Sequence, residues 1–383
     1  MKKFIGIVGI GLICCLIFVI LWRGKNPERN DVYGLMYQKL TPAFKENGYQ
    51  VRALNLQDIQ KSDGYNPIVY VRTMKEALMV ADYMLGESKD IDVFFNEAEK
   101  QLLAACILYA AYQKPEYKNF FFVSKILLKG LSKEETSIFE FLIDTFSKVS
   151  DISIAEELSM TLKHFSERML KILVPILCHK IMEIAEFVKT DDMDLERFAD
   201  EKTIIFLITG SKESTYDFLV PLFIEQSFKE FVKQDNSATL KNHIYYVLDE
   251  FAQVRNIHNL EHMIATGKDY NISFLVSVMT IEQMKMLYPD YWLKIVNCFP
   301  NFVYMGSYDT MTIEYMKKLL EPTGIFDEVF LKETGKDNPK TRKEKMLYEH
   351  LAEKELYGTM DSTIIVTNRT YSFRKNITKP SKM

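Results

Sequence analysis

The chain has 383 residues, 48% of them hydrophobic, which allows about two domains with a sizeable core and excludes a disordered protein. Its 48 basic and 52 acidic residues give a net charge of −4, so no whole-protein field draws it to nucleic acid or anionic lipid, and any such contact has to come from a local patch. The five cysteines (Cys14, Cys15, Cys106, Cys178, Cys298) show no CxxC spacing. Neither a disulfide framework nor a zinc site is indicated, which suits a reducing compartment.

Residues 4–22, FIGIVGIGLICCLIFVILW, carry no charge, follow Lys2 and Lys3, and end at Trp22 and Arg23. This length and these flanks predict a transmembrane anchor over 1–24. A cleaved signal peptide is the competing reading, but its apolar core would be shorter and followed by small residues, whereas this run leads into WRGKNPERND. Basic residues flank both ends (Lys2 and Lys3 against Arg23, Lys25 and Arg29), so charge alone does not orient the span.

Beyond it, VYGLMYQKLTPAFKENGYQVRALNL reads as a helix, a stop at Asn47-Gly48, and a strand from Tyr49 to Leu56. From Thr73 to about Lys189 the apolar residues recur at i, i+3, i+4 and i+7, which predicts an all-helical domain. Strands then return over 202–209, 243–250, 272–279, 301–307 and 362–373, separated by helices such as DFLVPLFIEQSFKEFV. Continuous apolar strands alternating with helices predict a mostly parallel sheet covered on both faces. The expected organisation is an α/β domain in two parts, 25–72 and 190–383, with an all-α domain over 73–189 inserted between them. The charged stretch 332–345 reads as a loop or an exposed helix start.

The strand HIYYVLDE ends in Asp249 and Glu250. At the carboxyl edge of a sheet such a pair suits nucleotide hydrolysis: the first carboxylate holds magnesium through its waters, and the second orients or deprotonates the attacking water. The plainer alternative is that the pair caps the helix after the strand, where negative charge is favoured. The phosphate-binding loop that should accompany it, G-x-x-x-x-G-K-[ST], is absent from the sequence. TGSKEST (209–215) lacks the spacing and the second glycine, and ATGKD (265–269) ends in Asp269 where a hydroxyl is needed.

In order and spacing, KENGYQVRALNLQDIQKSDGYNPIVYVR, DVFFNEAEKQLLAACILYAAY, TDDMDLERFADEKTIIFLITGSKESTYDFLVPLFIEQSFKEF, YYVLDEFAQV, NISFLVSVMTIEQMKMLYPDYW and FVYMGSYDT make most of residues 33–310 resemble the TraG/TraD-like coupling proteins of type IV secretion and conjugation. The resemblance implies an α/β fold, RecA-like, with a P-loop-NTPase-type parallel sheet, an inserted all-α domain and an N-terminal transmembrane helix. It also implies ATP and Mg2+ as cofactors, and a hexamer through whose pore DNA passes. The implied partners are relaxase or other secretion cargo and type IV secretion channel proteins. The implied place is the cytoplasmic membrane, single-pass, with the bulk of the chain cytoplasmic. Asp249 and Glu250 take the Walker B positions, with Asp249 as the magnesium residue.

Three departures bear on activity. The strand and phosphate loop that precede this region in the family are not seen before Tyr33, Met279 stands where the family has a phosphate-sensing glutamine, and Lys268 is the nearest cation to the arginine-finger position. Methionine is a poor partner for a phosphate oxygen, and lysine lacks the bidentate fork of arginine. Since loss of one arginine finger alone costs on the order of a thousandfold in rate, hydrolysis by this chain alone is not expected.

Other candidates have plainer readings. His258 and His262, four apart, form a polar face more readily than a metal site without a third ligand. Arg369, Arg374, Lys375, Lys379 and Lys382, with Tyr371 and Phe373 interleaved, read as a solvated tail before a DNA contact. Phe94, Phe95, Leu102, Leu103, Cys106 and Tyr109 read as helical core. The leading expectation is a coupling-protein relative that presents cargo with impaired ATP hydrolysis. Its alternatives are a truncated or rearranged form of an active ATPase, and a membrane-tethered interaction protein whose α/β part is scaffold.

Overall fold

A computed structural model describes residues 14–20, 35–86, 93–132, 136–198, 200–209, 214–233, 242–323, 325–356, 362–367 and 370–375. Strand β1 (Cys14–Ile20) is followed by helix α1 (Leu35–Glu46) and β2 (Gln50–Asn55). Six long helices come next: α2 (Met74–Leu85), α3 (Val93–Ala111), α4 (Phe120–Leu131), α5 (Ile138–Phe146), α6 (Ile152–Leu162) and α7 (Glu167–Ala185). The chain continues through the short α8 (Leu195–Phe198), β3 (Thr203–Ile208), α9 (Leu219–Lys233), β4 (His243–Asp249), α10 (Leu260–Gly267) and β5 (Ile272–Val276). The last part holds α11 (Ile281–Leu287), α12 (Trp292–Asn297), β6 (Asn301–Tyr304), α13 (Thr310–Leu320), α14 (Ile325–Thr334), α15 (Arg342–Leu356), β7 (Ser362–Thr367) and β8 (Thr370–Lys375).

The first five strands form one parallel sheet in the order β2-β3-β1-β4-β5. Here the expected anchor is corrected: Cys14–Ile20 lie in the middle of this sheet, with Ile17 opposite both Ile205 of β3 and Tyr246 of β4. The physical reason is that an uncharged run rich in Ile and Val satisfies a fully buried parallel strand as well as it satisfies a membrane span. Among the described residues no helix is long and apolar enough to cross a membrane. Residues 4–13, 21 and 22 of the expected span lie outside the described residues.

Side chains of β3 alternate between two cores, as a strand's twofold period requires. Ile204, Phe206 and Ile208 meet α1 residues Tyr37, Leu40 and Phe44, while Ile205 and Leu207 join the large core shared with α9 and the helical segment. Thus α1 and α9 cover opposite faces. Helix α3 runs through the centre of the helical segment, with Leu102 to Leu108 all fully buried. Reciprocal capping boxes, Thr73 with Glu76 and Ser137 with Glu140, fix the starts of α2 and α5.

The later strands depart from the single parallel sheet expected. They form a separate antiparallel sheet, β6-β7-β8. The run 362–373 contains two strands, and the register Thr367↔Thr370 reverses the chain between them. The small core of α13, α14 and α15 packs beside it, with Leu320, Ala352 and Leu356 fully buried.

Candidate functional site

The site is built where the sheet's connections change direction. From β1 the chain crosses by α1 to β2 on one side, and from β3 it crosses by α9 over β1 to β4 on the other, so a crevice opens at the carboxyl ends of these strands. In open parallel sheets this switch point is where ligands bind. The register Ile20↔Asp249 sets Asp249 there, beside the end of β1.

Asp249 and Glu250 are both half-buried at this edge. Glu250 adopts a left-handed conformation (φ 49°, ψ 42°), which turns the chain sharply off β4. The sequence reading missed the residue that holds the pair: Ser277, just beyond β5, donates its hydroxyl to Asp249 Oδ1 at 2.5 Å and accepts the Glu250 N–H at 2.9 Å. The ladder continues past β5 with Ser277 N–H donating to Leu248 O and Phe251 N–H donating to Ser277 O, both 2.9 Å. A lone serine between apolar residues, just past the strand beside the Asp-Glu pair, is the signal that could have shown it.

The other expected site residues are not brought together with the pair in the same way. Met279 is 62% exposed, and its backbone N–H donates to Gln283 Oε1 at 3.2 Å. Lys268 lies in the turn before β5, where Asn271 O accepts the Ile244 N–H at the start of β4. That is the opposite edge of the sheet, roughly 16 Å from Asp249 by strand rise. His258 precedes α10 and is no helical partner of His262. Its ring stacks on Tyr83 at 4.2 Å, its Nδ1 lies 3.4 Å from Asp82, and its N–H donates to Tyr83 Oη at 2.7 Å. Tyr83 in turn donates to Glu225 Oε2 at 2.7 Å, and Asn259 Nδ2 donates to Glu225 Oε1 at 3.1 Å. This network ties the loop after Asp249-Glu250 to helix α2, and burial followed by the neighbouring Glu225 holds the Tyr83 hydroxyl well above its ordinary pKa. No short-range pattern in the chain encodes this network.

The amino-acid sequence matches the family described as "Type IV secretory system Conjugative DNA transfer" over residues 30–364. The chain belongs to this family. Among solved structures the conjugative-transfer protein is similar to the bacterial conjugative coupling protein TrwB. With the unbound TrwB fragment it shares 11% identity at a TM-score of 0.52, covering 96% of this chain and 86% of that one. With TrwB in complex with ADP and Mg2+ it shares 10% identity at a TM-score of 0.54, with the same coverage. TrwB with the non-hydrolysable analogue ADPNP gives 11% identity and a TM-score of 0.53. At such identity the likeness establishes the fold, a RecA-like sheet joined to a helical domain. Among curated proteins none matches.

The residues present fit only half of a magnesium nucleotide. Asp249 keeps Oδ2 clear of the Ser277 hydrogen bond and stands at the switch point, which suits a hydrated magnesium held by one carboxylate and by phosphates. Among the described residues no group of three His, Cys, Asp or Glu could hold a metal without phosphate. The amides and lysine that would cradle a triphosphate have no counterpart motif in the sequence.

Proposed function

We infer that this conjugative-transfer family protein recruits relaxase–DNA or effector cargo to a type IV secretion channel and does not hydrolyse ATP by itself. The observation that carries the reading is the combination of a family match over residues 30–364 with an Asp-Glu pair that has no phosphate loop to serve. In this reading the chain works as a subunit beside intact homologues in a hexamer, with DNA in the pore, and reaches the inner membrane through secretion-channel proteins. Asp249 and Glu250 then remain as a water-mediated magnesium holder and a water-orienting carboxylate for which this chain supplies no triphosphate site.

The test is equilibrium binding of a fluorescent ATP analogue with magnesium to the full chain, with Asp249→Ala as control, alongside capture of a relaxase–DNA complex on the immobilised chain. No nucleotide binding up to millimolar concentration together with cargo capture is expected. Micromolar nucleotide binding abolished by Asp249→Ala, or failure to capture cargo, overturns the reading.

A further inference from the structure

A groove of about 810 Å³ lies between α2, α3 and α6, within the ~300–1,000 Å³ of ligand clefts and far along the chain from Asp249. Helix α3 is otherwise almost wholly buried, yet Phe94 in its first turn is 62% exposed, a correction to its expected place in the core, and Met160 of α6 is equally exposed. Leu78 of α2 completes the apolar wall. Exposed apolar side chains gathered in one concavity point to a ligand, whereas singly scattered ones do not.

The polar part of the lining is rich in hydrogen-bond acceptors. Glu156 and Glu157 edge the groove with Gln101, Ser153 and Thr161 beside them, no lysine or arginine lines it, and His164 is the one lining group able to carry positive charge. Neither carboxylate has a salt-bridge partner among the described residues, whereas other acids of these helices are paired: Asp82 and Glu97 with Lys100, and Glu99 with Lys180 at 2.7 Å. A bare divalent metal does not fit, since among the described residues no three carboxylate, imidazole or thiol groups converge and hard cations of that kind take six or more oxygens. What complements the groove is a ligand of protonated amines, which donate N–H and offer no acceptor, joined by methylene segments that lie along apolar side chains.

We propose that this groove binds a linear polyamine, a flexible chain of methylene segments punctuated by protonated amines. Its methylenes lie along Leu78, Met160 and the ring of Phe94, which also attracts a neighbouring ammonium. Two ammonium groups meet Glu156 and Glu157, and the Ser153 and Thr161 hydroxyls accept remaining N–H groups. The open groove leaves the amines partly hydrated, so binding is reversible with a Kd on the order of 100 μM. Occupancy then follows the free polyamine concentration, independently of Asp249 and of cargo recruitment.

The test is isothermal titration calorimetry on the full chain at fixed ionic strength, with spermidine as the probe. Its diacetylated twin keeps the methylene skeleton with a single charge, and hexylamine puts a single charge on a longer apolar chain. Spermidine binding at least about tenfold tighter than either comparator is expected. Glu156→Gln with Glu157→Gln weakens it at least about tenfold, and Phe94→Leu about threefold. Glu282→Gln with Glu314→Gln, two exposed acids outside the groove, leaves it unchanged. All five positions are exposed, and an unchanged urea midpoint verifies that the variants fold. Equal binding of spermidine and its diacetylated twin, no binding up to millimolar concentration, or an unchanged affinity in the Glu156 and Glu157 variant overturns the proposal. An equal loss in the Glu282 and Glu314 variant does so too, since it reduces the effect to general counterion attraction. Tighter binding of hexylamine overturns it in favour of a lipophilic monoamine, and concentration-dependent dimerisation abolished by Met160→Glu overturns it in favour of a second copy.

Discussion

Gly64 sits where the chain enters the helical segment, against residues 190–192 where it leaves. Its N–H donates to Asp192 Oδ2 at 2.8 Å, and its carbonyl accepts the Asp192 N–H at 2.8 Å. A Cβ added there would lie 2.3 Å from Thr190 Oγ1, 2.7 Å from the Thr190 carbonyl oxygen and 2.8 Å from Asp192 Oδ2. The hydroxyl can rotate away; the carbonyl can move only with its backbone, which breaks the reciprocal pair. Two lost hydrogen bonds at ~1 kcal/mol each and overpacking of ~1–3 kcal/mol put the cost of Gly64→Ala at about 3–5 kcal/mol. At an m-value of ~3 kcal/mol/M the urea midpoint, followed by circular dichroism, falls by about 1 M or more. Adding Thr190→Ala removes the hydroxyl contact and leaves the carbonyl contact, so the double variant recovers only part of the loss. A Gly64→Ala protein within about 0.5 kcal/mol of wild type, the range of neutral surface changes, refutes the reasoning.

Three further outcomes follow from contacts described above or nearby. Ser277→Ala leaves the Glu250 N–H without its acceptor and frees Asp249 Oδ1, which should cost about 1–2 kcal/mol in a urea titration. Tyr83→Phe removes the hydroxyl that accepts from His258 N–H and donates to the buried Glu225; a loss of about 2 kcal/mol and faster amide exchange at His258 are expected. Hydrogen bonding from Lys336, then from the Thr341 and Lys340 amides, draws the Glu344 carboxyl down from 4.5 to about 2. Because the folded value lies below the unfolded one, the stabilisation is present above pH 4.5 and is lost as the pH falls through about 2. Amide exchange at Lys340 and Thr341 should rise over that window in wild type and show no such dependence in Glu344→Gln.

Strands β3, β4 and β5 were legible as short, mostly apolar runs, the signature of a buried strand, and the mixed run QVRALN of β2 as a strand set off by the stop at Asn47-Gly48. Cys14–Ile20 lie inside a longer uncharged run, and periodicity cannot separate a buried strand from a span when every position is apolar. Asp249 stands out in the sequence as a carboxylate after apolar strand residues, whereas Ser277 does not, since only the β4–β5 register brings it to Asp249 and Glu250. The Tyr83–His258 stack joins residues 175 positions apart in the chain, and no local pattern encodes such a pair. Phe94, expected in the core, is 62% exposed: helical spacing assigns a face but not a depth along the helix, and α3 is fully buried only from Leu102 to Leu108.

The central place of β1 also has a consequence in time. Its partners β3 and β4 lie about 190 and 230 residues later in the chain, as the pairs Ile17↔Ile205 and Ile17↔Tyr246 show. At roughly 5–20 residues per second of synthesis, an uncharged, strand-forming segment waits on the order of ten seconds or more with both edges unpaired. Within that interval it is a target for chaperones and for the machinery that collects apolar nascent segments, so the ribosome meets the same ambiguity that the sequence presents to a reader.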